Sequence, residues 1–364
     1  MKKIYALVLS CLLISSVTVG SIPASAKDDE LLGYAVSAVL PSTQLDKEKT
    51  YFYVQTVPGE VQTLEVKVQS TREEPVKLKV AVKDASSESN GEIAYRTPDD
   101  KDMHYDETLK EPVSSMIEIE EPEFTVTNFE EKIVRLKVTP PKEHYQGAKL
   151  GAVSIGLSDM EEKKGVKTGF AYDVGIIFSE TGEEFNNSSS LELKSAKAAL
   201  KNGKKRVLAN LQNPEPKVLE NLTISAVMKN KSDGKVIKER KAQAYSMAPN
   251  SNFDFDLDWG IANLASGVYI LEMDVNNDFN NWSFKKEFTI TNKQAAKINA
   301  ESPYRIITPI KVQIVSIVLG VLTSIVIVLQ FTRRKKWEKQ WRKLKISRKK
   351  KTKNKKGKRE MNKK

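Results

Sequence analysis

The sequence predicts an all-β chain: two tandem immunoglobulin-like β-sandwich domains, followed by a single transmembrane helix and a basic tail. Three observations carry that expectation. Apolar and polar residues alternate with period two through most of residues 31–291, as in Val76-Lys77-Leu78-Lys79-Val80. That pattern gives each strand one face for a core and one for water, the signature of antiparallel sheets. Turn residues punctuate the alternation at intervals of roughly ten to fifteen residues, with no helical pattern between the strands. Near the other end, Val312 to Phe331 runs for twenty residues without a charge.

The chain opens with Met1-Lys2-Lys3, an apolar run from Ile4 to Gly20, and Ala24-Ser25-Ala26 ahead of a charged KDDE. A basic n-region, an apolar core and a small-x-small cleavage site make residues 1–26 a predicted secretory signal peptide, with a mature chain starting near Lys27. Cys11 is the single cysteine. It has Leu9 where a lipoprotein signal carries a small residue, and its loss with the signal peptide leaves a mature chain without thiols. Disulfides, thiolate metal sites and cysteine nucleophiles are thereby excluded.

The first module is expected over residues 31–158. In it Leu64, Val66 and Val68 alternate with Glu65, Lys67 and Gln69, and Val134, Leu136 and Val138 with Arg135 and Lys137. Pro58-Gly59, Asn90-Gly91, Pro140-Pro141 and Gly147 mark its turns. A charged break from Met160 to Lys167 separates it from a second module over residues 166–291, whose expected strands begin with Gly169 to Phe178 and end with Trp282 to Ile290. Asn202-Gly203 and Asp233-Gly234 are hairpin signals within it. Lys293 to Pro309 is too short to act as a long stalk, and serves as a connector to the membrane.

Residues 308–331 are the expected span. At a rise of about 1.5 Å per residue, twenty apolar residues cover roughly 30 Å, the hydrocarbon thickness of a bilayer. The tail, residues 332–364, holds nineteen Lys or Arg against Glu338 and Glu360. It carries +17 where the whole chain carries +12, and with Lys2 and Lys3 set aside residues 27–332 carry −7. Such a tail belongs on the cytoplasmic side by the positive-inside rule, which places the ectodomain outside the cell membrane. Attached to a span, its charge is met by anionic lipid rather than nucleic acid, with Trp337, Trp341 and Leu344 on one helical face for the headgroups.

Several segments, taken in order, resemble one family. Tyr34 to Gln44 (YAVSAVLPSTQ), Tyr51-Phe52, Asn90 to Tyr95 (NGEIAY) and His144 to Ile155 (HYQGAKLGAVSI) are similar to the first domain of the WxL-interacting proteins. Leu208 to Pro216, Met247 to Phe255, Gly267 to Leu271 and Trp282 to Ile290 are similar to that family's second domain. The resemblance implies a surface protein of Gram-positive bacteria. Its first domain would be associated with peptidoglycan and its second with host extracellular matrix, and secreted WxL proteins would be its partners. The chain itself has no Trp-x-Leu, since Trp259, Trp282, Trp337 and Trp341 are followed two positions on by Ile261, Phe284, Lys339 and Lys343. One departure is Ser42-Thr43 between Pro41 and Gln44, where the family pattern has an acidic or amide residue after the proline.

No catalytic, cofactor or metal residues are expected. His104 and His144 are the two histidines and have no partners at triad spacing. Ser283 and Lys286 match Ser-x-x-Lys only inside a strand pattern. Leu40 to Gln44 (LPSTQ) lies at the wrong end for a sortase signal. Asp274, Asn276, Asp278 and Asn280 have calcium-loop spacing, but Phe279 and Lys285 stand where such a loop needs Gly and Glu, so a turn is expected. The candidate contacts are Tyr51, Tyr53 and Tyr105, which offer sugar rings an apolar face and a hydroxyl. A second set is the acidic row Asp254, Asp256 and Asp258 of FDFDLDW, expected to face water or a partner. The expected activity is non-covalent docking. An assembly chaperone that works by β-strand addition is the alternative.

Overall fold

A computed structural model of the chain describes residues 32–158, 162–163, 166–167, 170–304 and 309–361. The expected signal peptide and Cys11 lie outside the described residues. The elements in chain order are β1 (Tyr34–Val39), β2 (Phe52–Gln55), β3 (Gln62–Ser70), β4 (Val76–Ser87), β5 (Ile93–Arg96), α1 (Val113–Met116), β6 (Ile117–Ile119), β7 (Glu123–Val126), β8 (Glu131–Val138), β9 (Lys149–Leu157), β10 (Glu162–Lys163), β11 (Val166–Lys167) and β12 (Ala171–Ser179). They continue with β13 (Glu192–Lys201), β14 (Lys204–Asn213), β15 (Leu219–Asn230), β16 (Val236–Met247), β17 (Ser251–Asp258), β18 (Gly267–Asn276), β19 (Asn281–Ile290), α2 (Asn292–Glu301) and α3 (Ile310–Met361).

The first module pairs β1-β3-β8-β6 in one sheet and β2-β12-β9-β4-β5 in another, with β7 also on β4. Period-two alternation decides which residues meet between them. Leu64, Val66 and Val68 of β3 and Val134, Leu136 and Val138 of β8 enter one core with Leu78, Ile155, Ile176 and Phe178, all buried. Apolar area removed from water at about 25 cal/mol per Å² holds the layers together. One expectation changes here. The strand expected to open the second module, now β12, lies in this sheet, antiparallel to β9 and parallel to β2. Alternation fixes the face a strand buries but not the neighbour it pairs with, and a parallel partner more than a hundred residues away leaves no local trace.

The second module pairs β13-β14-β17 and β16-β15-β18-β19. Its core draws Val207, Ala209 and Leu211 from β14, Ile224, Ala226 and Met228 from β15, and Phe253, Phe255 and Leu257 from β17. Asn202 and Gly203 both take positive φ, 51° and 73°, in the tight turn between β13 and β14, the conformation for which Asn-Gly is selected. The segment expected to be a plain connector contains α2. Thr291 caps it by accepting from the Gln294 amide at 3.2 Å, and Ala295 and Ile298 are buried against the core. Capping satisfies an amide that the helix start leaves open.

The two modules meet through close backbone contacts. Ser87 Oγ accepts from the Ala248 amide at 2.9 Å and lies 2.6 Å from Ser251 Oγ. Because Ser251 donates to the Ala248 carbonyl, Ser87 supplies the proton between the two hydroxyls. Ser246 N donates to the Gly91 carbonyl and Ala148 N to the Pro216 carbonyl. Gly91 (φ +90°) and Gly147 (φ +69°) admit no side chain, since a Cβ would lie 2.4 Å from the Tyr245 ring or 2.2 Å from the Pro216 carbonyl oxygen.

By itself, α3 is one continuous helix of 52 residues. Its apolar segment is long enough to cross a membrane, and Trp337, Trp341 and Leu344 are exposed.

Candidate functional site

On β17 the alternation buries Phe253, Phe255 and Leu257, with Trp259 buried just beyond it, and turns Asp254, Asp256 and Asp258 to the outer face of the three-stranded sheet. Carboxylates at alternate positions of one strand are about 7 Å apart and repel unless a cation intervenes. The cations come from the same module. Arg206 of β14 stands opposite Asp258 and reaches diagonally to Asp256, with Nη1 3.0 Å from Asp256 Oδ2 and Nη2 3.6 Å from Asp258 Oδ2. Arg240 of β16 donates to both the carboxylate and the backbone carbonyl of Asp256. Its guanidinium lies 4.3 Å from the Phe255 ring centroid. Asp254 accepts from Asn210 at 3.1 Å. Of the three, only Asp258 is exposed.

The arginines extend this cluster into the first module. Arg240 donates to Tyr245 Oη at 2.8 Å, and Tyr245 donates to the Ser89 carbonyl at 3.3 Å. Ser89 and Asn90 of the β4–β5 hairpin thus join Arg206, Glu239, Arg240, Asp256 and Asp258 around a cleft of about 550 Å³. Along the same face of β17, Asn252 donates to Asp106, as does Gln212 at 2.8 and 3.0 Å. Asp106 belongs to the loop between β5 and α1 and is 6% exposed. Burial alone would raise its pKa. The hydrogen bonds from Thr108, Asn252 and Gln212 outweigh burial and hold it below the ordinary carboxylate value, because they favour the charged form.

The tyrosines take separate places. Phe52 is fully buried, while Tyr51 and Tyr53 are half-buried on the opposite face. Tyr53 donates to the Glu183 carbonyl at 3.4 Å and meets the Phe185 ring edge-on. Burial, then Glu183, Tyr51 and Asp46, push its hydroxyl pKa up. Tyr105 is 43% exposed, but its hydroxyl is engaged, donating at 2.7 Å to Asp84, which is buried and also accepts from the Ser114 amide. Burial and the Asp84 bond raise the Tyr105 pKa to about 12. The hydroxyls of Tyr53 and Tyr105 are held by different partners, the Glu183 carbonyl and Asp84.

The remaining sequence features settle into structural parts. Gln44 of LPSTQ is buried and stitches its loop, donating to the Asp46 and Tyr51 carbonyls and accepting from the Tyr53 amide. At the calcium-like spacing, Asn277 accepts from the Phe279 and Asn280 amides and forms an Asx turn between β18 and β19, as its residue type favours. Ser283 donates to Asp274, and Lys286 caps the Leu193 and Lys194 carbonyls. His144 Nδ1 lies 2.8 Å from Glu180 at an exposed position. Among the described residues no group of three His, Cys, Asp or Glu could hold a metal.

Sequence reasoning missed Arg206, Arg240 and Asp106. The first carried a weak signal as the last basic residue before the apolar part of its strand, after Lys204 and Lys205. The others act across sheets or modules and left none.

The model for WxL Interacting Protein, peptidoglycan binding domain, matches residues 34–156, and that for WxL Interacting Protein, host binding domain, matches residues 161–300. No curated protein matches the chain. Among solved structures it is similar to the class 5 fimbriae chaperone CfaA, at 11% identity over 64% of this chain and 94% of that chain, with a TM-score of 0.25. It is also similar to the Pseudomonas aeruginosa CupB2 chaperone, at 14% identity over 64% and 93%, with a TM-score of 0.23. A third is the CsuC–CsuE chaperone–tip adhesion subunit complex of Acinetobacter baumannii, at 10% identity over 61% and 89%, with a TM-score of 0.27. Scores of this size support no argument about function. The two family models follow one another over most of the chain, ahead of an apolar C-terminal helix, and the protein belongs to the WxL-interacting protein family.

Proposed function

We propose that the chain is a membrane-held scaffold of the Gram-positive cell surface that docks secreted WxL proteins. Its first module contacts peptidoglycan and its second reaches a host-matrix protein. The observation that carries this reading is the order of the two binding domains on one β ectodomain, followed by a helix able to span a membrane. The positive-inside rule puts the basic tail in the cytoplasm and both modules in the wall. Docking is non-covalent and without turnover. Tyr51 and Tyr53 serve the first module and the Asp258 end of the acidic row serves the second, because these retain exposed area after their internal bonds are counted. Tyr105 offers its exposed ring but not its hydroxyl, which Asp84 holds.

The test is capture of secreted WxL proteins by the full-length chain in detergent micelles. Specific co-purification at near-equal amounts is expected. A full-length chain that captures none of the WxL proteins secreted by its own cells refutes the docking reading.

A further inference from the structure

Eight non-glycine residues take positive φ among the described residues, and five of them are asparagine, a side chain that tolerates the left-handed region. Phe129 is the one aromatic. With Asn128 it forms the turn from β7 to β8, at φ 48° and 58° for Asn128 and Phe129. Two successive positive values are the pattern of a type I′ turn, whose central positions are dominated by Gly, Asn and Asp. A bulky residue there is strained. The conformation is held from several sides: Glu130 N donates to the Thr127 carbonyl, Asn128 N to the Glu73 carbonyl, Phe129 N to the Arg72 carbonyl and Ser70 N to the Glu130 carbonyl. Thr127 Oγ1 adds a bond to the Glu73 carbonyl at 2.7 Å. Such over-determination keeps an unfavourable conformation populated.

Nothing inside the chain rewards a phenylalanine at this position. Its side chain is 54% exposed, belongs to neither module's core, and has no ring or cation contact among the described residues. A single exposed apolar residue is ordinary by itself. Phe279 is of that kind, 68% exposed in the turn that Asn277 stitches and without a positive φ. Phe129 differs because exposure coincides with a backbone that disfavours it, so Asn or Gly would serve the fold as well or better. A contact outside the chain is what the ring has to offer.

The surroundings specify the chemistry of that contact. Arg72, Glu73, Glu74 and Glu130 are exposed beside the turn, three carboxylates to one guanidinium. Glu73 and Glu74 form no ion pair among the described residues. The turn is also remote from the second module. Strand β4 begins beside it, with Val76 opposite Val126, and ends at Ser87 against Ala248, roughly 35 Å away by the rise of twelve residues. A ring among carboxylates is mismatched with the acidic stem peptides of the wall and with a second copy of the same tip, since like charges disfavour contact. It matches an apolar pocket with a basic rim on another protein.

We propose that Phe129 is the anchor by which the first module docks a secreted WxL protein, its ring entering an apolar pocket whose basic rim meets Glu73 and Glu74. Aromatic side chains at the centre of a contact patch carry much of its binding energy, and a ring already fixed by its turn loses little freedom on docking. The inference rests on the docking reading and adds where the contact is made.

The experiment measures binding of a purified WxL protein, secreted by the same cells, to the full-length chain in detergent micelles, with denaturant unfolding of each variant alongside. Phe129→Asn keeps the turn and removes the ring; it is expected to bind roughly tenfold more weakly or worse, with an unfolding midpoint at or above that of wild type. Phe129→Tyr keeps the ring and most of the binding. The pair Glu73→Gln/Glu74→Gln is expected to bind several-fold more weakly at low salt and to match wild type at high salt; unchanged binding at low salt overturns the basic rim. A Phe129→Asn chain that binds as wild type does, or unfolds clearly below it, overturns the anchor and leaves the docking reading standing. A wild-type chain that binds no WxL protein overturns that reading and the anchor with it.

Discussion

Replacing Asp256 by alanine tests whether the acidic row of β17 is an internal clasp. The substitution leaves Arg206 and Arg240 facing each other without the carboxylate that both address. The three side chains are 16%, 20% and 29% exposed, so the cluster is partly screened and sits between a surface pair and a buried one. Hydrogen bonds to charged groups contribute about 1.5–3 kcal/mol each, and surface pairs under about 1. A loss of about 2 kcal/mol is therefore expected, roughly a 30-fold shift in the unfolding equilibrium and a fall in melting temperature of about 5 °C. Asp254→Ala removes one bond from a neutral donor and should cost about 1 kcal/mol. Asp258→Ala, at an exposed site, should stay within about 0.5 kcal/mol. The assay is thermal unfolding of the full-length protein at neutral pH, repeated at high salt. Equal effects from all three variants, or an Asp256→Ala variant as stable as wild type, would refute the clasp.

Three further outcomes follow from the same contacts. Asp106 has a folded pKa held below its ordinary one, so its stabilisation is complete above about pH 5 and is lost as pH falls through the folded value; an Asp106→Asn variant should be less stable at pH 7 and show a shallower loss between pH 5 and 2, measured by denaturant titration across pH. Gly91→Ala forces a Cβ into the Tyr245 ring at a positive φ, which should cost roughly 2 kcal/mol and increase protease cleavage at the module junction; unchanged proteolysis and stability would contradict the close contact. Ala244 holds φ +57° inside the irregular β15–β16 pairing, and Ala244→Gly should gain about 0.5 kcal/mol, the relief of strain less the added freedom of the unfolded chain, by the same denaturant titration.

How much of this was legible in the sequence follows from how local each feature is. FDFDLDW announces its strand and its buried face without help, and Phe253, Phe255, Leu257 and Trp259 are buried as the alternation requires. Asn202-Gly203 announces a tight turn for the same reason, since positive φ is a property of single residues. The sheet to which β12 belongs is not local, because its partners β2 and β9 are set by the path of the chain. Helix α2 was missed because ten residues with two buried positions give a weak period, and Thr291 is a modest cap signal. At the candidate site, sequence supplied the acidic row but not its answer, Arg206 and Arg240, which arrive from two other strands.

The measurement that bears most directly on the scaffold reading is the lifetime of the complex between the full-length chain and a WxL protein. After pulse-labelling of the secreted partner, the complex captured from solubilised membranes should persist at near-equal amounts through a chase long enough for the partner to reach the wall. A complex that forms on export and has dissociated by then would contradict a stable scaffold and favour a chaperone that releases its client.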